Sequence, residues 1–310
     1  MIRHSVSRFL MLFNPAELCT WAFFLFVTLL IIVFNNNGAI RPYFIANIGI
    51  LFLIVLIALV VKRRPEFRPL VHLRNWYPAF LVTVPYRELS ILIPQIQPRD
   101  IDDVLIRLDY FIFHVHPTVF IERFEVPVLT DIFQLVYCSY YFLPILLGLV
   151  VYLRRDMRDF IHVVFAILFS FYVTYVGYML FPAVGPRFSL YHLQTTALVG
   201  WVVTLPIREY LNWLEHIMRD AFPSGHTMLA LVVLFYTWRY EKRLLFLFAP
   251  FAFLIIISTI YLRYHYAVDV LAGIILAVPT VVAVEVAMDW WEKTQKLYRS
   301  YPDDKLLKSL

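Results

Sequence analysis

Three short stretches hold the residues best suited to chemistry. Residues 222–229 read FPSGHTML. Pro223 and Ser224 suit a helix start, and Gly225 lets backbone approach a ligand closely. Unpaired N–H groups at such a helix end form an anion site, with His226 in the first turn. Residues 258–273 read STIYLRYHYAVDVLAG, with His265 and Asp269 four apart and so expected on one helical face. A carboxylate there accepts the imidazole N–H and fixes which nitrogen presents its lone pair, which makes His265 a candidate nucleophile. Residues 181–188 read FPAVGPRF, and Arg187 is a fixed cation able to grip phosphate oxygens with forked donors.

The elements that must position these groups are set by composition. The 310 residues are 61% hydrophobic, 18% aromatic and 16% charged, with mean hydropathy +0.73. A soluble globular chain is about 45–50% apolar and about 25% charged. The apolar excess cannot hide in one soluble core, which excludes a water-soluble enzyme, a disordered chain and a disulfide scaffold. Only 8 glycines and unbroken apolar runs also argue against a transmembrane β-barrel. The expected class is an all-α polytopic membrane protein. Cys19 and Cys138 read as small buried hydrophobes. The net charge of +5 reads as basic residues at cytoplasmic helix ends, not nucleic-acid affinity. Arg3 and Arg8 precede an apolar run without a small-residue cleavage site, so the start reads as an uncleaved first span.

A span needs about 20 apolar residues. The runs 18–35, 40–61, 76–96, 130–152, 160–182, 222–240, 243–262 and 267–289 are the expected spans. Arg87 and Glu88 lie inside the third, where charge is costly unless paired or facing the bundle interior; with Tyr86 they read as a satisfied pair, the alternative being that they extend the substrate pocket. Basic clusters follow alternate spans: Lys62, Arg63, Arg64 and Arg68; Arg154, Arg155 and Arg158; Arg239, Lys242 and Arg243; Lys293, Lys296 and Arg299. If these are cytoplasmic, the chain crosses between 68 and 130, and eight spans with both termini inside is the consistent count. Arg187, His226 and His265 then share the non-cytoplasmic face. Residues 101–113, with Val104, Leu105, Leu108 and Phe111 on one face, and 208–219, with Leu211, Leu214 and Met218, fit helices lying in the interface.

PSGH, followed 39 residues after its His by a second His in an HxxxD element, resembles the type 2 phosphatidic acid phosphatase superfamily, six-helix membrane enzymes with vanadium haloperoxidase relatives. The resemblance covers residues from about 76 to 289. It implies a core at 69–289, two added helices at 1–68 and a short charged cytoplasmic tail at 290–310. It also implies metal-independent chemistry on phosphate esters through a phosphohistidine, with no cofactor. Carried over, His265 attacks phosphorus, Asp269 orients it, and His226 protonates the leaving oxygen. Ser224 and the Gly225 backbone hold phosphate oxygens. The family's first motif has no match near PSGH: Lys62 to Arg68-Pro69 is one residue short and on the other side, so Arg187 is the positional substitute. The phosphatases' third-motif arginine falls on Thr259 here, with Arg263 as a possible replacement. That loss, with the STxYL…HYxxD pattern, is more similar to the inositol phosphorylceramide synthase branch, which transfers a headgroup to a lipid hydroxyl.

The resulting expectation is a lipid phosphatase or phosphotransferase acting on a phospholipid or lipid phosphate, with water or a lipid or sugar alcohol as acceptor. A transporter or headgroup-binding protein using the same cluster is the alternative. His114 and His116 lack a third ligand at metal-binding spacing and read as an interfacial loop. Asp220 reads as a loop hydrogen-bonding group rather than a base.

Overall fold

The computed structural model describes residues 9, 11–34, 41–215 and 218–300, and among them there is no strand. Helices α1 (Pro15–Phe34), α2 (Arg41–Arg63), α3 (Arg68–Leu81), α4 (Thr83–Ile96), α5 (Asp102–Phe113) and α6 (Pro117–Phe120) form the first half. Helices α7 (Pro127–Cys138), α8 (Phe142–Arg154), α9 (Met157–Leu180), α10 (Pro186–Ser189), α11 (Thr204–Glu215), α12 (Gly225–Tyr240), α13 (Leu245–Tyr261) and α14 (Ala267–Ser300) complete it.

The centre of the bundle is α12, which packs against α8, α9, α13 and α14. Its sequence is apolar nearly all round, as a helix enclosed by others must be, and Met228, Val232, Val233 and Tyr236 are fully enclosed. Outside this core, α1 lies along α9, where Phe23 stacks on Tyr172 with centroids 4.2 Å apart, and α2 packs on α1. A reciprocal cap starts α1: Glu17 N–H donates to Asn14 Oδ1 and Asn14 N–H to Glu17 Oε2, each at 2.9 Å. The same carboxylate accepts Arg74 Nε and Nη2 at 2.7 Å, which ties α1 to α3.

By length and composition six helices can cross a membrane: 15–34, 42–63, 127–154, 157–180, 242–261 and 267–296. This differs from the expected eight at two places. The 76–96 run belongs to two 14-residue helices, α3 and α4, meeting at Val82. At 1.5 Å per residue each is about 21 Å long, short of a bilayer core of about 30 Å. The 222–240 run begins as loop, leaving α12 only 16 residues. A seventh crossing is counted if α5 and the 117–124 segment, bent by 64°, form one broken span.

Within α5 the expected apolar face divides. Leu105 is buried, but Val104, Leu108 and Phe111 are exposed, and the buried side carries Asp102 and Asp109. In α11, Leu211 is buried and Met218 beyond it exposed, while the Leu214 side chain lies outside the described residues. Helix α14 continues through 290–300; Arg3, Arg8 and residues 301–310 lie outside the described residues. Cys19 and Cys138 are half-buried and form no disulfide with each other.

Candidate active site

The turn between α13 and α14 carries the first imidazole. Helix α13 ends with Arg263 in the left-handed region at φ 64°, while Tyr264 N–H bonds to Thr259 O at 2.9 Å and Arg263 N–H to Ile260 O at 3.0 Å. This is the six-to-one and five-to-two pattern that closes a helix and reverses the chain. His265 therefore precedes α14 instead of sharing a helical face with Asp269, which stands in that helix's first turn. The expected pairing survives as an approach of 3.5 Å from His265 Nδ1 to Asp269 Oδ2. Nδ1 has a nearer partner in Ala221 O at 2.6 Å, and Asp269 Oδ2 accepts Tyr266 N–H at 2.8 Å. A carbonyl can only accept, so Nδ1 carries the hydrogen and Nε2 the lone pair of the neutral ring. Burial lowers the His265 pKa from its ordinary value, opposed by the Asp220 carboxylate and the Ala221 carbonyl.

The second imidazole comes from the first turn of α12. Ser224 caps that helix, accepting Thr227 N–H at 3.3 Å and Thr227 O–H at 3.0 Å, and is fully enclosed. Its hydroxyl thus accepts both Thr227 groups, and Ser224 is not part of the lining of the site's cavity. A Cβ on Gly225 would stand 2.5 Å from the Tyr178 hydroxyl, so this glycine admits a tyrosine. His226 lies between Tyr137 and Tyr140, with ring centroids 4.3 and 4.1 Å away. Its Nδ1 is 3.5 Å from His265 Nε2, and its Nε2 has no hydrogen-bond partner among the described residues.

Arg187 opens the short helix α10. Before it, Gly185 has φ 86°, and a Cβ there would lie 2.7 Å from Tyr264 O. Arg187 N–H bonds to Arg263 O at 2.9 Å, and its guanidinium is half-buried with Asn212 Oδ1 at 3.3 Å. Arg263 is differently engaged. Its buried Nη2 meets Glu125 Oε1 at 2.6 Å and Glu122 Oε1 at 3.1 Å, and Nη1 bonds to Gln194 Oε1 at 2.9 Å. Held by two carboxylates, it fits a buttress of the site better than a free phosphate ligand.

Arg187, Arg263, His226, His265, Tyr264 and Asp220 line one cavity of about 420 Å³. Asp269, Ser224 and Gly225 stand behind its wall. Asp220 Oδ2 accepts the Tyr86 hydroxyl at 2.5 Å, and burial raises its pKa from the ordinary value against that bond and the neighbouring His265. The expected Arg87–Glu88 pairing is corrected: Arg87 is exposed, while buried Glu88 accepts Asn47 Nδ2 at 2.9 Å. The helical turn that buries position 88 points position 87 outward.

Three positioning residues escaped the sequence reading. Asp102 accepts Val184 N–H and Gly185 N–H at 2.9 Å each and the Tyr266 hydroxyl at 2.7 Å. Asp109 accepts Ala267 N–H and Val268 N–H, capping α14. Asp102 and Asp109, seven apart and so on one side of α5, were the available signal. Arg208 of α11, beside Tyr264, has its pKa lowered by burial and by the nearby Arg187 and Arg263 cations. Among the described residues no three His, Cys, Asp or Glu side chains are arranged to hold a metal, and His114 and His116 do not line the cavity.

No curated protein and no solved structure matches the chain. The sequence model of the PAP2 superfamily does match, over residues 104–283, a stretch that holds α7 through α13 together with Arg187, His226, His265 and Asp269. That is more than half of the 310 residues, and the chain belongs to the PAP2 superfamily.

Proposed function

We propose that this membrane protein breaks and remakes phosphoester bonds of lipids through a phosphohistidine on His265. The observation that carries the reading is the convergence of two imidazoles and a half-buried guanidinium on one cavity. His265 Nε2 attacks phosphorus while His226 gives a proton to the departing oxygen. Arg187 stabilises the crowded anionic phosphorus, with Arg208 adding positive potential behind Tyr264. Asp269 steadies the loop that presents His265. A water or an alcohol then opens the N–P bond.

The transferring, inositolphosphotransferase-like form of this reaction is favoured by Thr259 at the phosphatases' arginine position and by the engagement of Arg263 with Glu122 and Glu125. The reading takes residues 69–289 as the catalytic core and eight crossings, with α12 and the α3–α4 pair spanning despite their length. A second cavity, lined by Arg154, Arg155, Arg239, Lys242 and Arg243, lies at the opposite end of α12 from His226. Basic residues favour the cytoplasm, which supports a site on the non-cytoplasmic face.

The test is product analysis of purified protein in detergent incubated with labelled phospholipids and lipid phosphates, with and without long-chain or sugar alcohols. His265→Ala and His226→Ala are each expected to lower product formation at least about a thousandfold while retaining expression and melting behaviour. Wild-type turnover in either variant, or headgroup binding without any product from wild type, overturns the reading.

A further inference from the structure

The end of α12 far from His226 borders a cavity of about 490 Å³ built from two chain reversals. Arg154 and Arg155 come from the turn between α8 and α9; Arg239, Glu241, Lys242 and Arg243 come from the turn between α12 and α13. Glu241 is buried among them, with Arg155 Nε at 3.1 Å from its Oε1 and Arg154 Nη1 at 3.8 Å from its Oε2. Arg155 Nη2 also donates to Tyr240 O at 2.5 Å, which ties the two turns together. Arg239 is held by Glu285 Oε2 at 2.6 Å, a carboxylate outside the lining. Among the described residues Lys242 and Arg243 form no ion pair, and the Lys242 ammonium lies 5.5 Å from the Trp238 ring centroid. Five cations thus share two carboxylates, a surplus of three positive charges around one space. Asp156 and Asp159, at the start of α9, are not part of the lining.

Basic residues gather at such helix ends to set orientation, which needs charge but no cavity. Here two segments of chain are pinned to each other by Arg155 and keep their surplus charge around a preformed space. Like charges held this close repel, and an anion between them relieves that cost. Guanidinium groups donate to phosphate oxygens through two parallel N–H groups, and an ammonium adds a point charge. The surroundings identify the source of the phosphate. Phe246, 93% exposed, and Leu153, also exposed, are near neighbours in sequence of Arg243 and Arg154, on helices apolar and long enough to cross a membrane. The cavity therefore opens where headgroups meet acyl chains. We propose that it binds the headgroup of an anionic phospholipid from the leaflet at that end, with phosphate oxygens on Arg154, Lys242 and Arg243 and acyl chains along Leu153 and Phe246. A net-anionic headgroup neutralises the surplus, whereas the amine of a zwitterionic one is repelled by it. The site lies about 20 Å along α12 from His226 and does not depend on the reaction there.

The experiment titrates the purified full chain in detergent with dioleoylphosphatidylglycerol and, separately, with dioleoylphosphatidylcholine, reading bound lipid by native mass spectrometry. Wild type is expected to bind phosphatidylglycerol at least about tenfold more tightly. Lys242→Gln with Arg243→Gln is expected to lower that affinity about tenfold or more, each basic residue at an anionic headgroup being worth about fivefold. Lys62→Gln with Arg63→Gln removes two exposed cations at the end of α2 that do not line the cavity, and is expected to leave the affinity unchanged. Lys242→Arg with Arg243→Lys keeps the charge and is expected to retain binding; loss there overturns the electrostatic reading. Equal loss in the two neutralised pairs shows general attraction to basic helix ends and overturns the site, as does equal affinity of wild type for the two lipids. Glycerol 1-phosphate is the soluble arm and is expected to bind far more weakly than the lipid. Binding as tight as the lipid's, lost in Lys242→Gln with Arg243→Gln, gives the cavity to a soluble phosphate and overturns the lipid assignment.

Discussion

His265 Nε2 stands 3.5 Å from His226 Nδ1, with the two ring centroids 5.6 Å apart and the planes at 62°. At that separation two imidazolium charges repel by about 5 kcal/mol at an effective dielectric of 20, so the pair carries at most one positive charge over most of the accessible range. Burial favours the neutral form of His265 in addition. The nucleophile is therefore available below the ordinary histidine pKa of about 6.5, and the acid limb of kcat/KM is expected below that value. Stability moves in the same direction as activity. The unfolded chain takes up a proton at about pH 6.5 that folded His265 refuses, so stability is expected to fall as pH drops through that value. Thermal melts from pH 8 to 5 beside the pH–rate profile check both limbs; an acid limb above 6.5 contradicts the burial argument.

Arg187 and Arg263 line the same cavity but are expected to fail differently when replaced. Among the described residues the Arg187 side chain has one acceptor, Asn212, at 3.3 Å, so Arg187→Ala is expected to cost about a hundredfold in kcat/KM with little change in melting temperature. Arg263→Ala leaves Glu122 and Glu125 buried without their common cation, a loss of about 3–5 kcal/mol in stability. Activity assays paired with melts in detergent separate the two. Equal destabilisation by both substitutions contradicts the division of roles.

The sequence displayed the parts of the site better than their supports. His226, His265 and Arg187 were legible because each combines a reactive side chain with a backbone signal of helix start, chain reversal or turn. The Ser224 hydroxyl is harder to read, because an N-cap and a phosphate ligand share the same sequence signature; in the fold both Thr227 groups donate to it. Asp102 and Asp109 were hidden because they act across more than 80 and about 160 positions of chain, on backbone N–H groups that carry no sequence identity. Span lengths were legible where apolar runs end in charge, as at Arg154. At 76–96 the helix is interrupted at Val82, three residues before Pro85, and at 222–240 the Ser224 cap sets a later start.

Gly225 and Tyr178 form a complementary pair. A methyl at 225 would meet the Tyr178 hydroxyl at 2.5 Å, a distance that real side-chain contacts do not show. Gly225→Ala is expected to displace the start of α12 and destabilise the protein by about 1–3 kcal/mol. Tyr178→Phe removes the clashing oxygen, so the double variant is expected to recover part of that loss, giving a coupling above about 0.5 kcal/mol. A double-mutant cycle on melting midpoints measures it, and additive losses contradict the contact.

Asp220 acts on His265 through charge. The carboxylate raises the His265 pKa against the larger lowering by burial, and the Tyr86 hydroxyl at 2.5 Å steadies the carboxylate as an anion. Asp220→Asn removes that negative charge, so the acid limb of the remaining activity is expected to move to still lower pH. Tyr86→Phe leaves the carboxylate in place but removes a bond that favours its charged form, so Asp220 holds its proton to higher pH. Where Asp220 is neutral its support of the His265 cation disappears, and the limb is again expected to shift downward, by less than in Asp220→Asn. The ordering wild type, then Tyr86→Phe, then Asp220→Asn, from highest to lowest limb, is the result to seek in pH profiles of kcat/KM. An upward shift in Asp220→Asn shows instead that the carboxylate does not face the imidazole during turnover.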